Sequence, residues 1–469
     1  MNESNNQNND PKQFYENKTK CGGDNQKYFI KTFGCQMNVH DSEKIAGIFA
    51  ESGYDQSEDR NNADVIVLNT CSIRQKAEQK FYSEIGRLKK NKEHNPNLKI
   101  AVAGCIVQQE GSKLLKRFPY VDFIFGPDNI DNLQNWITNN QETGKRTEAF
   151  NANPDYHTKE LPIKREGRVR AWVSIMYGCD NFCAYCVVPF TRGRERSRPL
   201  KDIQKEVERL ASEGFKELVL LGQNVNSYGK GLAEKTDFPE LLNLVHGIEG
   251  VERIRFVTSH PKDLSESLIA AIQKLPKVCE HIHLPLQSGS DNVLTMMNRR
   301  YIYKEYKEKV DKLREALPDI AITTDIITGF PGEANIDFQR TMDALSDIEF
   351  DDIFAFKYSK RPNTKALGLP GHLDEEIKSE RLNRLLNLQG AITYKKNKAA
   401  ENEIHEVLVE SVSETDSDKL TGRTRSNKIV NFYGDERNIG RLIKVKILEA
   451  KQHSLYGESV LDLIMSEIK

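Results

Sequence analysis

Three cysteines, Cys179, Cys183 and Cys186, follow the apolar run 171–176 with the spacing C-x3-C-x2-C. One short loop of this kind can wrap three thiolates around an iron–sulfur cube. A [4Fe-4S] cluster normally takes four thiolates, so a set of three leaves one iron with an open coordination position. Open positions are where bound metals do chemistry. The alternative is a structural zinc site with a remote fourth ligand, although zinc ligands usually occur as two separated pairs.

Three further cysteines, Cys35, Cys71 and Cys105, are dispersed over the N-terminal part of the chain, and each follows a short strand pattern. The predicted strands are 28–30, 65–68, 100–103 and 121–125, and the alternating helices are about 41–52, 75–90 and 108–116. This alternation predicts a parallel sheet, in which the loops that leave the strands emerge at one edge. The three thiols are therefore predicted to share a second metal site with no obvious fourth ligand. The alternative is that they are buried, small apolar residues.

Composition indicates a globular protein with ample core, because 38% of the 469 residues are hydrophobic and 29% are charged. The formal net charge of −1 excludes a global basic field, so any nucleic-acid partner must bind local patches. No apolar run approaches the ~20 residues that span a bilayer, and the polar first residues are unlike a secretory signal. We expect a cytoplasmic protein without a membrane partner, in which eight cysteines indicate metal or redox chemistry.

The sequence pattern divides the chain into five segments. They are a disordered tail (1–25), an N-terminal domain (26–145), a linker (146–165), a central domain (166–397) and a C-terminal domain (398–466). The central domain has predicted strands at 171–176, 217–221, 253–258, 281–285, 320–326 and 353–358. The predicted fold is α/β and multidomain: a parallel α/β sheet domain, a partial (β/α)6 barrel and a small all-β barrel. Of the other cysteines, Cys21 in the tail is interpreted as incidental and Cys279 as a structural core residue.

Two groups of basic residues are predicted to bind RNA. Directly after the cysteine loop, arginines alternate with other residues at Arg192, Arg194, Arg196 and Arg198. In an extended chain such residues project from one face, and guanidinium groups bind phosphates. The second group lies in the C-terminal domain and includes Arg423, Arg425 and Lys428. The alternative for each group is a charged, solvated surface.

These features occur in an order that resembles one known family. Three dispersed cysteines, a C-x3-C-x2-C barrel and a basic C-terminal β-barrel are similar to the methylthiotransferase family of radical S-adenosylmethionine (SAM) enzymes, whose last module is called TRAM. The matching motifs are TFGCQMN at 32–38, NTCSIR at 69–74, GC at 104–105, PFTRGRERSR at 189–198 and TGRTR at 421–425. The last two motifs most resemble those of members that act on tRNA carrying isopentenyladenosine beside the anticodon.

The resemblance implies SAM and two [4Fe-4S] clusters as cofactors. Cys179, Cys183 and Cys186 would hold the cluster that binds SAM, and Cys35, Cys71 and Cys105 would hold an auxiliary cluster that carries sulfur. The implied reaction inserts a methylthio group at C2 of N6-isopentenyladenosine in the tRNA anticodon stem-loop, with one SAM as methyl donor and another as the source of a 5′-deoxyadenosyl radical. Close relatives modify threonylcarbamoyl-adenosine in tRNA or an aspartate of a ribosomal protein. An unidentified electron donor and an unidentified sulfur or cluster-repair donor are further implied partners.

If SAM binds the open iron, polar loops after the neighbouring strands are expected to hold its other groups. The candidate residues are Tyr185, Gly222, Gln223, Asn224, Ser259, Gln287, Ser288, Gly329 and Glu333. Two other classes of function stay open at this point. In one, the auxiliary cluster of a radical SAM enzyme only relays electrons. In the other, the chain is a non-catalytic RNA-binding protein that uses zinc.

Overall fold

Six parallel strands form the N-terminal sheet in this computed structural model, which describes residues 26–72, 75–139, 146–151, 153–165 and 167–460. The elements are β1 (Lys27–Thr32), α1 (Gln36–Glu51), β2 (Asp55–Gln56), β3 (Val65–Thr70), α2 (Gln75–His94), β4 (Lys99–Gly104), α3 (Cys105–Glu110), α4 (Lys113–Arg117), β5 (Phe123–Phe125), α5 (Asn132–Asn139) and β6 (Thr147–Ala149). The strand order is β2-β1-β3-β4-β5-β6, with an apolar cluster on each face. The predicted tail, which contains Cys21, lies outside the described residues.

Each dispersed cysteine lies where a strand gives way to a helix. Cys35 precedes α1, Cys71 follows β3 and Cys105 begins α3. Two of these turns depend on glycine. Gly34 has φ +122°, and a Cβ there would lie 2.2 Å from the Cβ of Cys71. Gly104 has φ +96°, and a Cβ there would lie 2.3 Å from a backbone oxygen of the β3 end. The residues beside the cysteines therefore dictate turns that let the strand ends approach closely.

The parallel sheet and its four predicted strands are confirmed, with differences at the edges. The sequence does not predict β2 and β6, because two and three residues carry too short a pattern. β6 pairs with β5 and lies in the predicted linker, so the sheet continues past the predicted boundary. α1 begins at Gln36 rather than near 41, and the predicted helix 108–116 is interrupted at Gly111, which has φ +55°.

The central domain alternates strands and helices around one apolar core. Its elements are β7 (Arg170–Ser174), β8 (Met176–Tyr177), α6 (Val188–Thr191), β9 (Arg196–Ser197), α7 (Leu200–Ser212), β10 (Glu217–Leu221), α8 (Phe238–Gly247), β11 (Arg253–Phe256), α9 (Glu266–Lys274), β12 (His281–His283), α10 (Asp291–Met296), α11 (Tyr303–Ala316), β13 (Ala321–Thr328), α12 (Asn335–Ile348), β14 (Asp352–Lys357) and α13 (Glu375–Lys398). The parallel strands are ordered β11-β10-β7 and β12-β13-β14. The predicted partial barrel of six βα units is confirmed.

The C-terminal domain is a closed barrel, as predicted, with strand order β15-β16-β17-β19-β18. Its strands are β15 (Ile404–Ser413), β16 (Asp416–Thr424), β17 (Ile429–Tyr433), β18 (Leu442–Ala450) and β19 (Leu455–Ser459). The barrel packs against the amino ends of the central strands, because Arg253, at the start of β11, donates hydrogen bonds to the carbonyls of Glu406 and Arg423. This contact lies at the opposite end of the strands from the cysteine loop.

The N-terminal and central domains share an apolar cluster. Tyr177, Val219 and Leu221 of the central domain belong to the same cluster as Met37 and Ala103 of the N-terminal domain. Helix α1 also contacts β7. These contacts bring the two cysteine-bearing regions together. Among the described residues, no helix has both the length and the apolar character needed to cross a bilayer.

Candidate metal and cofactor site

The three dispersed cysteines meet at the carboxyl edge of the N-terminal sheet. Cys71 and Cys105 are buried, and Cys35 is partly buried. The thiol of Cys71 forms hydrogen bonds with both Cys35 and Cys105. The parallel topology thus brings together thiols that are far apart in sequence, as the strand pattern predicts. We call Cys35, Cys71 and Cys105 the dispersed triad.

Two members of the dispersed triad already favour the thiolate, which is the form that binds metals. The hydrogen bond from Cys71 lowers the pKa of Cys35 to about 6 and that of Cys105 to about 7, although burial opposes both shifts. The same hydrogen bonds hold the pKa of Cys71 well above its ordinary value. The Arg192 guanidinium also lowers the pKa values of Cys35 and Cys105.

Arg192 connects the dispersed triad to the central domain. Its side chain is only 4% exposed, and its Nη2 donates to Asp41 Oδ2 at 2.7 Å and to Asn38 Oδ1 at 3.2 Å. Asn38 Oδ1 lies 3.7 Å from Cys35 Sγ. Because Arg192 follows Cys186 by six residues in the chain, this network fixes the central cysteine segment against α1. Helix α3, which begins at Cys105, also contacts α6 of that segment.

The other three cysteines occupy one loop at the carboxyl end of β7. Cys179 and Cys183 are buried and Cys186 is partly buried, and we call the three the loop triad. Gly178 has φ +74°, and a Cβ there would lie 2.0 Å from the carbonyl oxygen of Arg194, so only glycine permits this turn. Burial raises the pKa of Cys179 to about 11 and that of Cys186 to about 12.

A buried arginine also contacts the loop triad. Arg299 Nη1 donates to Cys183 Sγ at 3.3 Å and to the hydroxyl of Tyr185 at 3.4 Å. Its other nitrogens donate to the carbonyl of Pro285 at 2.9 Å and to the hydroxyl of Tyr301 at 3.0 Å. Tyr185 therefore lies beside the cysteines, as expected. Sequence reasoning missed Arg299, because nothing in its local pattern distinguishes it from its exposed neighbour at position 300.

Polar atoms without partners gather at the strand ends around the loop triad. They are Gln223 Oε1, Asn224 Oδ1, Ser259 Oγ and Gln287 Oε1, which find no hydrogen-bond partner among the described residues. Two backbone positions there, Thr258 with φ +71° and Gln287 with φ +72°, are in the left-handed region that non-glycine residues rarely adopt. Buried unpaired polar atoms and backbone strain are typical of ligand sites. These four predicted SAM residues fit a polar ligand.

The other predicted SAM residues have roles within the protein. The Glu333 carboxylate accepts the Gly329 N–H at 2.6 Å and pairs with Arg381 at 2.5 Å, so it stabilises its own loop, and a contact of Glu333 or Gly329 with SAM stays a prediction. Ser288 Oγ is hydrogen-bonded to Thr341 at 3.2 Å. A Cβ at Gly222 would lie 2.5 Å from a side-chain carbon of Met176, so glycine at 222 permits packing.

The predicted face of four alternating arginines is not present. Arg192 is buried as described, Arg196 pairs with Asp128 at 2.7 Å, and Arg198 pairs with Glu206 at 2.7 Å. The extended geometry assumed from the sequence fails, because α6 and the short β9 direct these side chains into separate ion pairs. Arg194 is 73% exposed and pairs with Asp180.

The predicted basic group of the C-terminal domain mainly forms a contact between domains. Arg425 pairs with Glu280 at 2.6 Å and donates to two backbone carbonyls before β12. Arg423 pairs with Glu410 at 3.3 Å. Lys428 is partly buried and donates to the carbonyl of residue 396 at 3.4 Å, and burial lowers its pKa. These side chains therefore contribute to the packing of the domain, and their binding of RNA stays a prediction.

In the ranges that the structure describes, no three His, Cys, Asp or Glu side chains are grouped to hold a single metal ion. A [4Fe-4S] cube does not need its ligands to meet at one metal ion, because each thiolate binds a different iron at a different corner.

Cys279 is buried apart from both triads, which fits the structural role expected of it.

Family comparisons cover all three domains. Residues 27–126 match the model of the uncharacterized protein family UPF0004, residues 173–345 match the radical SAM superfamily, and residues 398–460 match the TRAM domain.

Curated relatives match nearly the whole chain. A tRNA-2-methylthio-N(6)-dimethylallyladenosine synthase of Thermodesulfovibrio yellowstonii is 52% identical over 432 residues, which cover 92% of this chain and 98% of that protein. Proteins with the same name from Clostridium botulinum (strain Okra) and Thermoanaerobacter pseudethanolicus are each 48% identical, over 92% and 93% of this chain and 97% and 93% of their own lengths.

Solved structures support the fold alone. The radical SAM methyltransferase TsrM of Kitasatospora setae, with cobalamin and a [4Fe-4S] cluster bound, aligns with a TM-score of 0.53 at 14% identity, over 73% of this chain and 77% of that one. The cobalamin-dependent radical SAM enzyme OxsB, with aqua-cobalamin and SAM bound, aligns with a TM-score of 0.51 at 14% identity, over 79% of this chain and 56% of that one.

Proposed function

This chain belongs to the methylthiotransferase family of radical SAM enzymes, and we propose that it inserts a methylthio group at C2 of N6-dimethylallyladenosine (isopentenyladenosine) in tRNA. The observation that supports the proposal is that the chain segments carrying the two cysteine triads contact each other, with Arg192 joining them across the domain boundary. The relatives with the same domain order carry the name of this activity. One SAM would serve as methyl donor and another as radical source.

The residues present fit the cofactors that this reaction needs. The dispersed triad would hold an auxiliary [4Fe-4S] cluster, and the loop triad would hold the [4Fe-4S] cluster that binds SAM, each with one iron left without a thiolate. The unpartnered oxygens of Gln223, Asn224, Ser259 and Gln287 would take the polar groups of SAM. When bound, these cofactors supply the radical that removes the C2 hydrogen and the sulfur that replaces it.

The protein's own residues position and shield this chemistry. An aromatic C–H offers no acidic proton to a side-chain base, so the site needs no general base. Arg192 and Arg299 are buried cations, one beside each triad. Each stabilises thiolate charge and holds its cysteine segment by several hydrogen bonds. Burial of Cys71, Cys105, Cys179 and Cys183 keeps most of the sulfur ligands away from bulk water.

We assign residues 26–145, together with β6, to an auxiliary-cluster domain. The residues from β6 to 165 form a linker, residues 166–397 form a radical SAM domain, and residues 398–466 form a TRAM domain. The three family matches support these divisions. The reaction consumes electrons and sulfur, so an electron donor and a sulfur or cluster-repair donor are required partners. A tRNA substrate also favours the cytoplasm.

Nucleoside analysis of tRNA from cells with and without this protein tests the proposal. We expect methylthio-dimethylallyladenosine only when the protein is present. Methylthiolation of threonylcarbamoyl-adenosine, or of a ribosomal-protein aspartate, would overturn the substrate assignment. Release of 5′-deoxyadenosine without a methylthio product would instead favour an auxiliary cluster that relays electrons. Anaerobic analysis should give about eight irons per chain for two cubes, whereas zinc would overturn the enzyme assignment.

A further inference from the structure

One face of the sheet β12-β13-β14 is only half-buried. Along β13, buried residues alternate with half-buried ones, and the half-buried set is Thr323, Asp325 and Ile327. The opposite face carries Ile322 and Ile326, which pack with the helices in the apolar core of the central domain. Because successive side chains of a strand point to opposite faces, the half-buried side chains lie on the face turned away from that core.

The two neighbouring strands add an imidazole and an aromatic ring to this face. The strand register pairs His283 of β12 with Thr323, and Phe354 of β14 with Asp325. His283 Nε2 lies 3.5 Å from Asp325 Oδ2, and its Nδ1 is hydrogen-bonded to the Thr323 hydroxyl at 3.0 Å. The rings of His283 and Phe354 meet edge to face, with their centroids 5.7 Å apart. We call His283, Asp325 and Phe354 the strand group.

Two strands lead from the strand group to the loop triad. Ile327 follows Asp325 by two residues on the same face, and it packs against an apolar cluster that contains Ala184 of the cysteine loop. Tyr358, four residues after Phe354, belongs to that cluster as well, and its N–H is still hydrogen-bonded to β13. At ~3.3 Å per residue, the strand group therefore lies about 7 to 13 Å along the strands from the residues that contact the cysteine loop.

The strand group is accessible, unlike the core on the other face of the sheet. Phe354 is 46% exposed, and the side chains of Asp325 and His283 are 30% and 13% exposed. Among the described residues, His283 is the only ion-pair partner of Asp325, so no lysine or arginine there neutralises this carboxylate. An exposed ring and a carboxylate without a strong cation contribute little to packing and remain available to a ligand.

These side chains have the chemistry to recognise an uncharged, N6-substituted adenine. An aromatic ring stacks on a base and packs against an apolar substituent. A carboxylate accepts a hydrogen bond from an N–H, and N6 of adenine keeps one hydrogen when it carries a single substituent. A carboxylate also repels an anionic substituent. The threonylcarbamoyl group carries a carboxylate of its own, whereas the dimethylallyl group is an uncharged hydrocarbon.

We propose that Phe354 and Asp325 select the nucleotide on which this enzyme acts. Phe354 packs against the adenine and its dimethylallyl group, and Asp325 accepts the N6–H. The charge of Asp325 excludes a threonylcarbamoyl nucleotide, whose carboxylate would lie beside it in a partly desolvated site. The inference rests on the proposed function and names the residues that set its substrate specificity.

A competition between two RNAs tests the proposal. Anticodon stem-loops that carry dimethylallyladenosine or threonylcarbamoyl-adenosine are supplied together to the cluster-loaded protein with SAM and a chemical reductant, and nucleoside mass spectrometry gives the ratio of methylthio products. Binding of each RNA is measured separately, so the preference is known even where turnover falls. The variants are Asp325→Asn, which removes the charge and keeps the shape, and Phe354→Ala. The matched controls are Asp343→Asn, exposed on α12, and Tyr394→Ala, 46% exposed on α13.

We expect the wild type and both controls to prefer the dimethylallyl RNA about tenfold or more. Asp325→Asn should reduce this preference about tenfold, mainly through tighter binding of the threonylcarbamoyl RNA. Phe354→Ala should bind the dimethylallyl RNA about fivefold or more weakly, while iron content stays as in the wild type.

Two results would overturn these assignments. A wild-type preference in Asp325→Asn excludes Asp325 as a selector, and a wild-type affinity for the dimethylallyl RNA in Phe354→Ala excludes Phe354. Both results leave the proposed function intact as long as the wild type methylthiolates the dimethylallyl RNA. If the wild type instead modifies only the threonylcarbamoyl RNA, or neither RNA, the proposed function itself fails.

Discussion

The dispersed triad draws its cysteines from three strand ends, whereas the loop triad takes all of its cysteines from eight consecutive residues. Their electrostatics differ as well. Hydrogen bonds from Cys71 lower the pKa values of Cys35 and Cys105, while burial raises those of Cys179 and Cys186. Two of the three thiols of the dispersed triad, Cys35 and Cys105, are thus prepared for ligation, whereas the raised pKa of Cys71 leaves its proton to be displaced by the metal. The loop triad depends on the metal to displace its protons.

A buried arginine accompanies each triad, but the two arginines are held differently. Arg192 pairs with a carboxylate, Asp41, and so links two domains. Arg299 is held by neutral acceptors and by Cys183 within one domain. Loss of Arg192 therefore leaves a buried charge without its partner, while loss of Arg299 affects mainly the loop triad. The dispersed triad therefore depends on contact between domains, and the loop triad on packing within one domain.

Removal of Cys71 should have the largest effect, because it should disable one triad and leave the other intact. In Cys71→Ala the central thiol of the dispersed triad is lost, so we expect iron to fall from about eight to about four per chain and methylthio product to disappear. SAM cleavage should persist, because the loop triad keeps all three cysteines. Cys279→Ala removes a buried cysteine outside both triads and should retain both iron and product. Methylthiolation by Cys71→Ala would contradict the assignment of the dispersed triad.

Arg192→Gln should be the next most damaging change. It leaves Asp41 buried without its cation, and the loss of one partner of a buried pair typically costs about 3–5 kcal/mol of unfolding free energy. The exposed Arg194 provides the matched control, since Arg194→Gln should cost less than about 1 kcal/mol. Denaturant unfolding compares the two, and iron analysis should show loss mainly from the dispersed triad. Equal stabilities would show that the domain link is unimportant.

Much of this architecture could be predicted because it follows from local patterns. Alternating strands and helices specify the parallel sheets, and the parallel topology brings Cys35, Cys71 and Cys105 to one edge. The partners of arginines could not be predicted in this way. Arg192 pairs with Asp41, and Arg425 pairs with Glu280, each across a domain boundary. The spacing of these arginines in the sequence does not reveal either partner. Such pairs depend on how the domains dock, which the sequence pattern does not encode.

Arg299→Lys should affect the loop triad and spare the dispersed triad. Lysine keeps the charge but cannot reach Cys183, Pro285 and Tyr301 together, and loss of a residue that orients metal ligands typically costs about tenfold or more in activity. We expect slower SAM cleavage and an altered electron paramagnetic resonance signal from the loop-triad cluster, with the auxiliary signal unchanged. Arg300→Lys, one residue away and exposed, should match the wild type. A change in the auxiliary signal alone would contradict this separation.

Arg425→Gln should have the smallest effect and should not distinguish the triads. Arg425 lies at the amino ends of the central strands, where it is partly exposed and bonded to Glu280, so we expect the docking of the C-terminal domain to weaken by about 1–2 kcal/mol. Calorimetry should detect this loss, while iron content, SAM cleavage and methylthio product stay as in the wild type. Arg437→Gln, at a side chain that is 86% exposed, is the control. If Arg425→Gln instead weakens RNA binding tenfold without a change in stability, this arginine contacts RNA, as its sequence motif suggests, and the contact between domains is secondary.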